Sequence, residues 1–175
     1  MNTLVETPAN TGGLPVALRP ETSEDGPFLF TVCASTREEE LALTNWDEAT
    51  RRAFLRHQFG AMCQGYRAMF PAGEFSIVLL AGQPVGRMVL DRRPAEIRVV
   101  DLALLPAWRN QGVGTWLMRQ VCREAAIAGK SVTLCVLQNN RALHWYARLG
   151  FTPAGPPGVY EELAWLPGSA SQTGA

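Results

Sequence analysis

The chain has 175 residues, 47% hydrophobic and 18% charged, a composition suited to one soluble globular domain with a substantial core. Sixteen basic residues balance sixteen acidic ones, so there is neither net charge nor the basic stripe that a non-specific nucleic-acid binder needs. The four cysteines, Cys33, Cys63, Cys122 and Cys135, form no CxxC pair, and with only His57 and His144 beside them no metal-ligand spacing can be assembled.

Residues 1–13 are small and polar, without the basic start or apolar run of a signal peptide, and read as a disordered tail. A strand at Val16–Arg19 stops at Pro20, and the acidic stretch Glu21–Asp25 suits the start of a helix through Phe28–Ser35. Asn45 or Asp47 is the candidate cap of a longer helix that reaches Met69 before Pro71. Its apolar positions Phe54, Phe59, Met62, Tyr66 and Met69 recur at helical spacing. Strands Glu74–Ala81 and Val85–Asp91 follow, joined by the turn signal Gly82-Gln83-Pro84.

Ile97–Leu105 is apolar on both faces apart from Arg98 and Asp101, as expected of a strand in the middle of a sheet. A helix over Gly112–Ala128 carries the stripe Val113, Leu117, Val121 and Ala125, and Gly129 ends it. Strand Val132–Leu137, a short helix from Asn140 to Leu149 and a closing pair, Phe151–Pro153 and Val159–Leu166, complete the domain. The alternation of strands and helices in this half argues an α/β layered fold with local parallel pairing. The expected domain runs over residues 14–166, with 167–175 as a second tail. No apolar run approaches the ~20 residues of a membrane span, and reduced packing thiols in a cytoplasmic protein are expected.

The chemistry concentrates where the central strand meets the next helix, in Leu104-Leu105-Pro106-Ala107-Trp108-Arg109-Asn110-Gln111-Gly112-Val113-Gly114-Thr115. A helix start offers backbone N–H groups without intrahelical partners and a partial positive charge, glycines allow close approach, and Arg109 adds a formal charge. The P-loop pattern GxxxxGK[ST] is absent. The dinucleotide fingerprint GxGxxG begins at Gly112 and fails at Leu117, late in the chain instead of after the first strand. The glycines alone are equally compatible with an anion site and with an ordinary helix-start turn.

A second segment, Asn139 to Phe151, decides between them. RxxGxG at Arg109–Gly114, followed one strand later by NxxAxxxYxxxGF at Asn139–Phe151, resembles the GNAT superfamily of acyl-CoA-dependent N-acyltransferases. The resemblance is strong over residues 96–152 and weaker over 16–95 and 153–166. It implies a single-domain layered α/β fold: a mixed, mostly antiparallel twisted sheet splayed at the cofactor site, with helices on both faces. It also implies acetyl-CoA as cosubstrate. The backbone amides of Gln111, Gly112, Val113, Gly114 and Thr115 would bind the pyrophosphate, flanked by Arg109 and Asn110. Main-chain groups of Leu104 and Leu105 would pair with the pantetheine arm like an added strand. Asn139 matches a position that hydrogen-bonds the pantetheine, Ala142 one that packs on the cofactor, and Tyr146 the general acid that protonates the departing thiolate.

Two strand carboxylates, Glu96 and Asp101, are available as general base. Their odd separation sends them to opposite faces, and Asp101 is the better placed for burial. His57 and His144 read as surface or packing residues, and Glu38-Glu39-Glu40 as a solvated helix end. In such enzymes the early helices and their connecting loop shape the acceptor site, which makes Arg37, Trp46, Gln58 and Tyr66 the candidate acceptor contacts. The implied reaction is direct transfer of an acetyl group to a primary amine of a small molecule or peptide, in a ternary complex. A homodimer is compatible with the resemblance, and a non-catalytic CoA-binding or sensing module is the alternative function.

Overall fold

The computed structural model describes residues 15–168, so the expectations for the tails at 1–13 and 169–175 lie outside it; Pro167 and Gly168 form an exposed turn. The strands are β1 (Val16–Pro20), β2 (Glu74–Leu80), β3 (Gln83–Arg92), β4 (Glu96–Leu104), β5 (Ser131–Leu137), β6 (Thr152–Pro153) and β7 (Tyr160–Trp165). The helices are α1 (Gly26–Ser35), α2 (Glu38–Ala42), α3 (Glu48–Met69), α4 (Val113–Ala128) and α5 (Ala142–Arg148). The strands form one mixed sheet in the order β1-β2-β3-β4-β5-β7-β6, which puts β4 fourth of seven, as its two-sided apolar pattern requires. β4 and β5 are parallel, whereas β1–β2, β5–β7 and β6–β7 are antiparallel. The β4–β5 register ends at Val99–Leu134, although β4 continues to Leu104 and β5 to Leu137.

The chain divides into two compact units, with β3 and β4 each running from one into the other. The first comprises the chain to Val89 together with Asp101–Gln111. Its core includes Leu29 and Val32 of α1, Ile77 and Val78 of β2, and Val85 and Met88 of β3. Asp47 caps α3 by accepting from the Thr50 amide at 2.7 Å. The expected apolar face of α3 is present but only half-buried, and Met69 is largely exposed at the helix end. The acidic run Glu38–Glu40 is the first turn of α2, a separate helix that the chain pattern does not announce. Five residues are too few for a periodic stripe to register, and only Leu41 is buried. The β2–β3 turn is also tighter than expected. Ala81 and Gly82, both at positive φ, make a two-residue hairpin loop, and Gln83 and Pro84 already belong to β3.

Two ion pairs organise this unit. Asp25 accepts from the Arg19 guanidinium at 2.7 Å and from the Thr22 amide and hydroxyl at 2.8 and 2.9 Å. The Arg19 guanidinium first, with the Thr22 donors, holds the Asp25 carboxyl far below the usual carboxylate range despite its burial. Arg87 of β3 is 4% exposed, and its Nε and guanidinium nitrogen both bond Oδ2 of Asp101 on β4. The same guanidinium lies 5.4 Å from the centre of the Tyr66 ring and 3.6 Å from the Met62 sulfur, both on α3. Burial alone would lower the Arg87 pKa, but the adjacent Asp101 carboxylate outweighs it and holds the guanidinium above its ordinary value.

The second unit comprises Leu90–Val100 and the chain from Gly112. α4 buries Val113, Leu117, Met118, Val121 and Ala125, which is the expected stripe with Met118 added. Val132, Leu134 and Val136 of β5, Leu163 and Trp165 of β7, and Phe151 are further buried side chains here, with Leu90 from β3, Ile97 and Val99 from β4 and Tyr146 from α5. Arg98 joins three strands in this unit, donating to Glu162 at 2.7 Å and to Thr133 at 3.3 Å. Among the described residues no helix is long and apolar enough to cross a membrane.

Asp25→Asn is expected to lower stability at neutral pH by roughly 2 kcal/mol, because three donors lose an ionised acceptor. The wild-type contribution is complete above the unfolded carboxyl pKa of about 3.9 and declines as pH falls towards the depressed folded value, so the two urea midpoints converge in acid. Arg87→Met is expected to cost roughly 3 kcal/mol by leaving Asp101 without its cation, and adding Asp101→Leu should recover most of that loss in urea unfolding.

Candidate active site

β3 lies hard against the end of β4. A Cβ on Gly86 would overlap the Ala103 carbonyl oxygen and the Leu104 side chain, so only glycine fits there. The Leu105 amide donates to the Val85 carbonyl at 2.9 Å, and a 3₁₀ turn at Pro106–Trp108 follows. Arg109 folds back on this strand end, its Nε donating to the Leu104 carbonyl at 2.8 Å. Its terminal nitrogen reaches the carbonyl and hydroxyl of Ser35, the last residue of α1, at 3.2 Å each. Asn110 adopts a left-handed conformation, φ 60°, which asparagine tolerates better than most residues, and the Gln111 amide donates to the Ala107 carbonyl at 2.6 Å. Three features expected to serve a ligand, the Leu105 amide, the Leu104 carbonyl and the Arg109 side chain, therefore have internal partners. The strand end and its loop hold their shape by themselves.

α4 begins at Gly112, whose φ of 83° turns the chain sharply into the helix without a side-chain cap. The first intrahelical bond is donated by Trp116 to the Gly112 carbonyl. The N–H groups of Val113, Gly114 and Thr115 thus precede the hydrogen-bonded ladder, with the positive end of the helix dipole behind them. Val113 is buried and anchors the turn, whereas Gly112 is exposed. This is an anion-binding geometry made of backbone, and its donors suit the oxygens of a pyrophosphate.

α5 carries the second expected group. The Asn140 side chain accepts from the Ala142 amide at 2.8 Å and starts the helix, one turn after Asn139, which is exposed. Tyr146 is 9% exposed, with its ring centre 4.6 Å from that of Trp145 and 5.7 Å from that of Phe151. Ala142 is half-buried on the same helix. A shallow cavity of about 550 Å³ is lined by Leu137, Gln138, Asn139 and Val159.

Of the two carboxylates, Glu96 has both oxygens engaged, one by Arg93 at 2.7 Å and the other by Thr133 at 2.8 Å. Asp101 is half-buried, and both Arg87 bonds fall on Oδ2, leaving Oδ1 without a partner among the described residues. Asp101, expected to be the more buried of the two, is half-buried with the Arg87 guanidinium beside it. Arg87 itself carried a signal: it is the lone charge inside the otherwise apolar run from Val85 to Leu90.

The candidate acceptor residues all fall in the first unit. Arg37 pairs with Glu40 at 3.2 Å, Trp46 is 41% exposed and meets Phe54 edge-on at 5.2 Å, Gln58 is half-buried, and Tyr66 faces Arg87. His57 and His144 are exposed. The four cysteines are free, and burial pushes the Cys122 thiol up to about 12, which leaves it protonated and unreactive. Cys135 departs from the expected packing role: it is exposed on β5, where Arg98 donates to its sulfur at 2.8 Å.

Residues 71–153 match the family profile of the Acetyltransferase (GNAT) domain. No curated protein is similar enough in sequence to match the chain. Among solved structures, the PaiA N-acetyltransferase of Thermoplasma acidophilum in complex with coenzyme A is similar with a TM-score of 0.65 at 15% identity, covering 86% of this chain and 98% of that one. A histone acetyltransferase HPA2 and related acetyltransferase from Corynebacterium glutamicum gives 0.60 at 22%, covering 87% and 96%. The GCN5-related N-acetyltransferase of Rhodopseudomonas palustris gives 0.58 at 20%, covering 95% and 99%. At these identities the likeness is one of fold, and it extends over nearly the whole of each relative. An uncapped α4 start, the expected seven-stranded sheet and the matched profile converge: residues 71–153 match the GNAT acetyltransferase domain, and the fold is that of the solved GNAT acetyltransferases.

Proposed function

We propose that the protein transfers an acetyl group from acetyl-CoA to a primary amine of a small molecule or peptide, by direct attack in a ternary complex. The observation that carries this reading is the uncapped amino terminus of α4 at Gly112, inside the matched domain. The coenzyme A complex of the Thermoplasma relative supports the choice of anion. The amides of Gln111, Gly112, Val113, Gly114 and Thr115 receive the pyrophosphate, with Arg109 and Asn110 beside them. Main-chain groups of Leu104 and Leu105 other than the engaged Leu104 carbonyl and Leu105 amide, and also Asn139 and Ala142, are the candidate contacts of the pantetheine arm. Arg37, Trp46, Gln58 and Tyr66 contribute to acceptor selection.

The chemistry needs three proton movements: one off the acceptor ammonium, one onto the departing thiolate and one off the nitrogen as the amide forms. Asp101 takes a proton from the acceptor ammonium through Oδ1, the oxygen that Arg87 leaves unengaged. The free amine attacks the thioester carbonyl, the carbon–sulfur bond breaks, and the departing thiolate takes the phenolic proton of Tyr146, while the former amine nitrogen sheds its second proton as the amide forms and so restores the phenol, directly or through water. A phenol packed between two rings is held in one orientation, which a proton donor requires.

The test is thiol release from acetyl-CoA across a panel of amines, with coenzyme A binding followed by calorimetry. Turnover with at least one amine is expected, and binding without turnover across a broad panel would instead favour a sensing module. Tyr146→Phe is expected to lower kcat by about 100-fold, and full turnover in that variant would remove the acid assignment. Asp101→Asn is expected to impair the reaction most at neutral pH and to recover as pH rises towards the pKa of the amine, since a deprotonated acceptor no longer needs the base.

A further inference from the structure

Trp145 lies outside the expected set of site residues, yet it touches both halves of the chemistry in its unit. Its indole N–H donates to the Thr115 hydroxyl at 3.0 Å, and Thr115 is the third residue of α4. Its ring packs on Tyr146 with centroids 4.6 Å apart and planes inclined at 49°. Consecutive helix residues point about 100° apart, so Trp145 can turn towards the start of α4 while Tyr146 faces the core. Such a bond is not generic here: the indole of α4 itself, Trp116, has its N–H buried with no partner. Phe151 closes the far side of Tyr146, its ring 5.7 Å away and its amide donating to the Tyr146 carbonyl at 3.1 Å.

We propose that Trp145 is the positioning residue of the acid, tying Tyr146 to the first turn of α4 through Thr115. This rests on the reading of Tyr146 as the proton donor. The Thr115 hydroxyl is fixed to the turn whose amides receive the pyrophosphate, so a shift of that turn moves the indole, and the indole bears on the phenol ring. Loss of the bond frees α5 to slide or rotate against α4 without removing any ligand donor. Small displacements of a reacting group cost rate far more than they cost binding.

The experiment uses the full chain with Trp145→Phe, Thr115→Val and the double variant, each checked by thermal melting. Each single variant is expected to lower kcat by about fivefold to tenfold, the loss of one half-buried neutral hydrogen bond, with KM for acetyl-CoA within about twofold of wild type. The double variant should be no worse than the more impaired single one, since both remove the same bond. Thr115→Ser, which keeps the hydroxyl, should restore most of the rate lost in Thr115→Val. Additive losses, or a raised KM with unchanged kcat, would overturn the proposal.

A second readout is independent of turnover. The indole N–H resonance of Trp145, assigned by its disappearance in Trp145→Phe, should shift on titration with coenzyme A and shift less in Thr115→Val. An unchanged resonance at saturating coenzyme A would overturn the coupling. Tyr146→Phe separates the two levels. If that variant is impaired while Trp145→Phe and Thr115→Val are not, this inference alone fails; if Tyr146→Phe turns over normally, the acid assignment fails and takes the inference with it.

Discussion

The backbone at Gly112 sets the terms for the site. With φ at 83°, the chain leaves the 3₁₀ turn after β4 and enters α4 at an angle that no β-carbon would favour, and no side chain caps the first turn. Three amides and the positive end of a 16-residue helix dipole are thereby left without internal partners. Val113, buried behind the turn, fixes their direction, and Leu117, Val121 and Ala125 continue the same buried stripe. The donors this turn offers are main-chain groups that the core holds in place, so their direction depends little on the side chains in the loop.

Those loop side chains are used for another purpose. Arg109 looks from its position like a counter-ion for phosphate, yet its guanidinium is spent on the Leu104 carbonyl and on Ser35. The Gln111 amide closes on the Ala107 carbonyl in the same way. A charged side chain contributes more to a rigid loop by satisfying backbone acceptors than by waiting in water for a ligand, because each unmet carbonyl costs free energy. Arg87 makes the comparable choice in a drier setting. Its charge is tolerable at 4% exposure only because Asp101 lies alongside, the Tyr66 ring faces it and Met62 completes the contact. The pair neutralises itself and still leaves one carboxylate oxygen open.

Much of this was legible in one dimension. β4 declared its central place by being apolar on both faces, α4 by the spacing of Val113, Leu117, Val121 and Ala125, and the break between them by Gly112 and Gly114. α2 escaped notice because five residues hold barely more than one turn. The environment of Asp101 escaped for a different reason. Arg87 precedes it by fourteen residues on a neighbouring strand, and pairing across strands leaves no local trace. Trp145 was hidden in the same way, thirty residues from the hydroxyl it bonds.

Local periodicity and turn chemistry determined, from sequence alone, the strands and the longer helices and where an anion would meet a helix start, because backbone geometry repeats over a few residues. The order of RxxGxG and NxxAxxxYxxxGF added the family likeness. Only the tertiary structure decided which polar groups spend themselves on one another: Arg109 on Leu104, Arg87 on one oxygen of Asp101, Trp145 on Thr115. Such pairings depend on the distance between segments in space, and a buried donor or charge takes whichever partner the fold brings within about 3 Å.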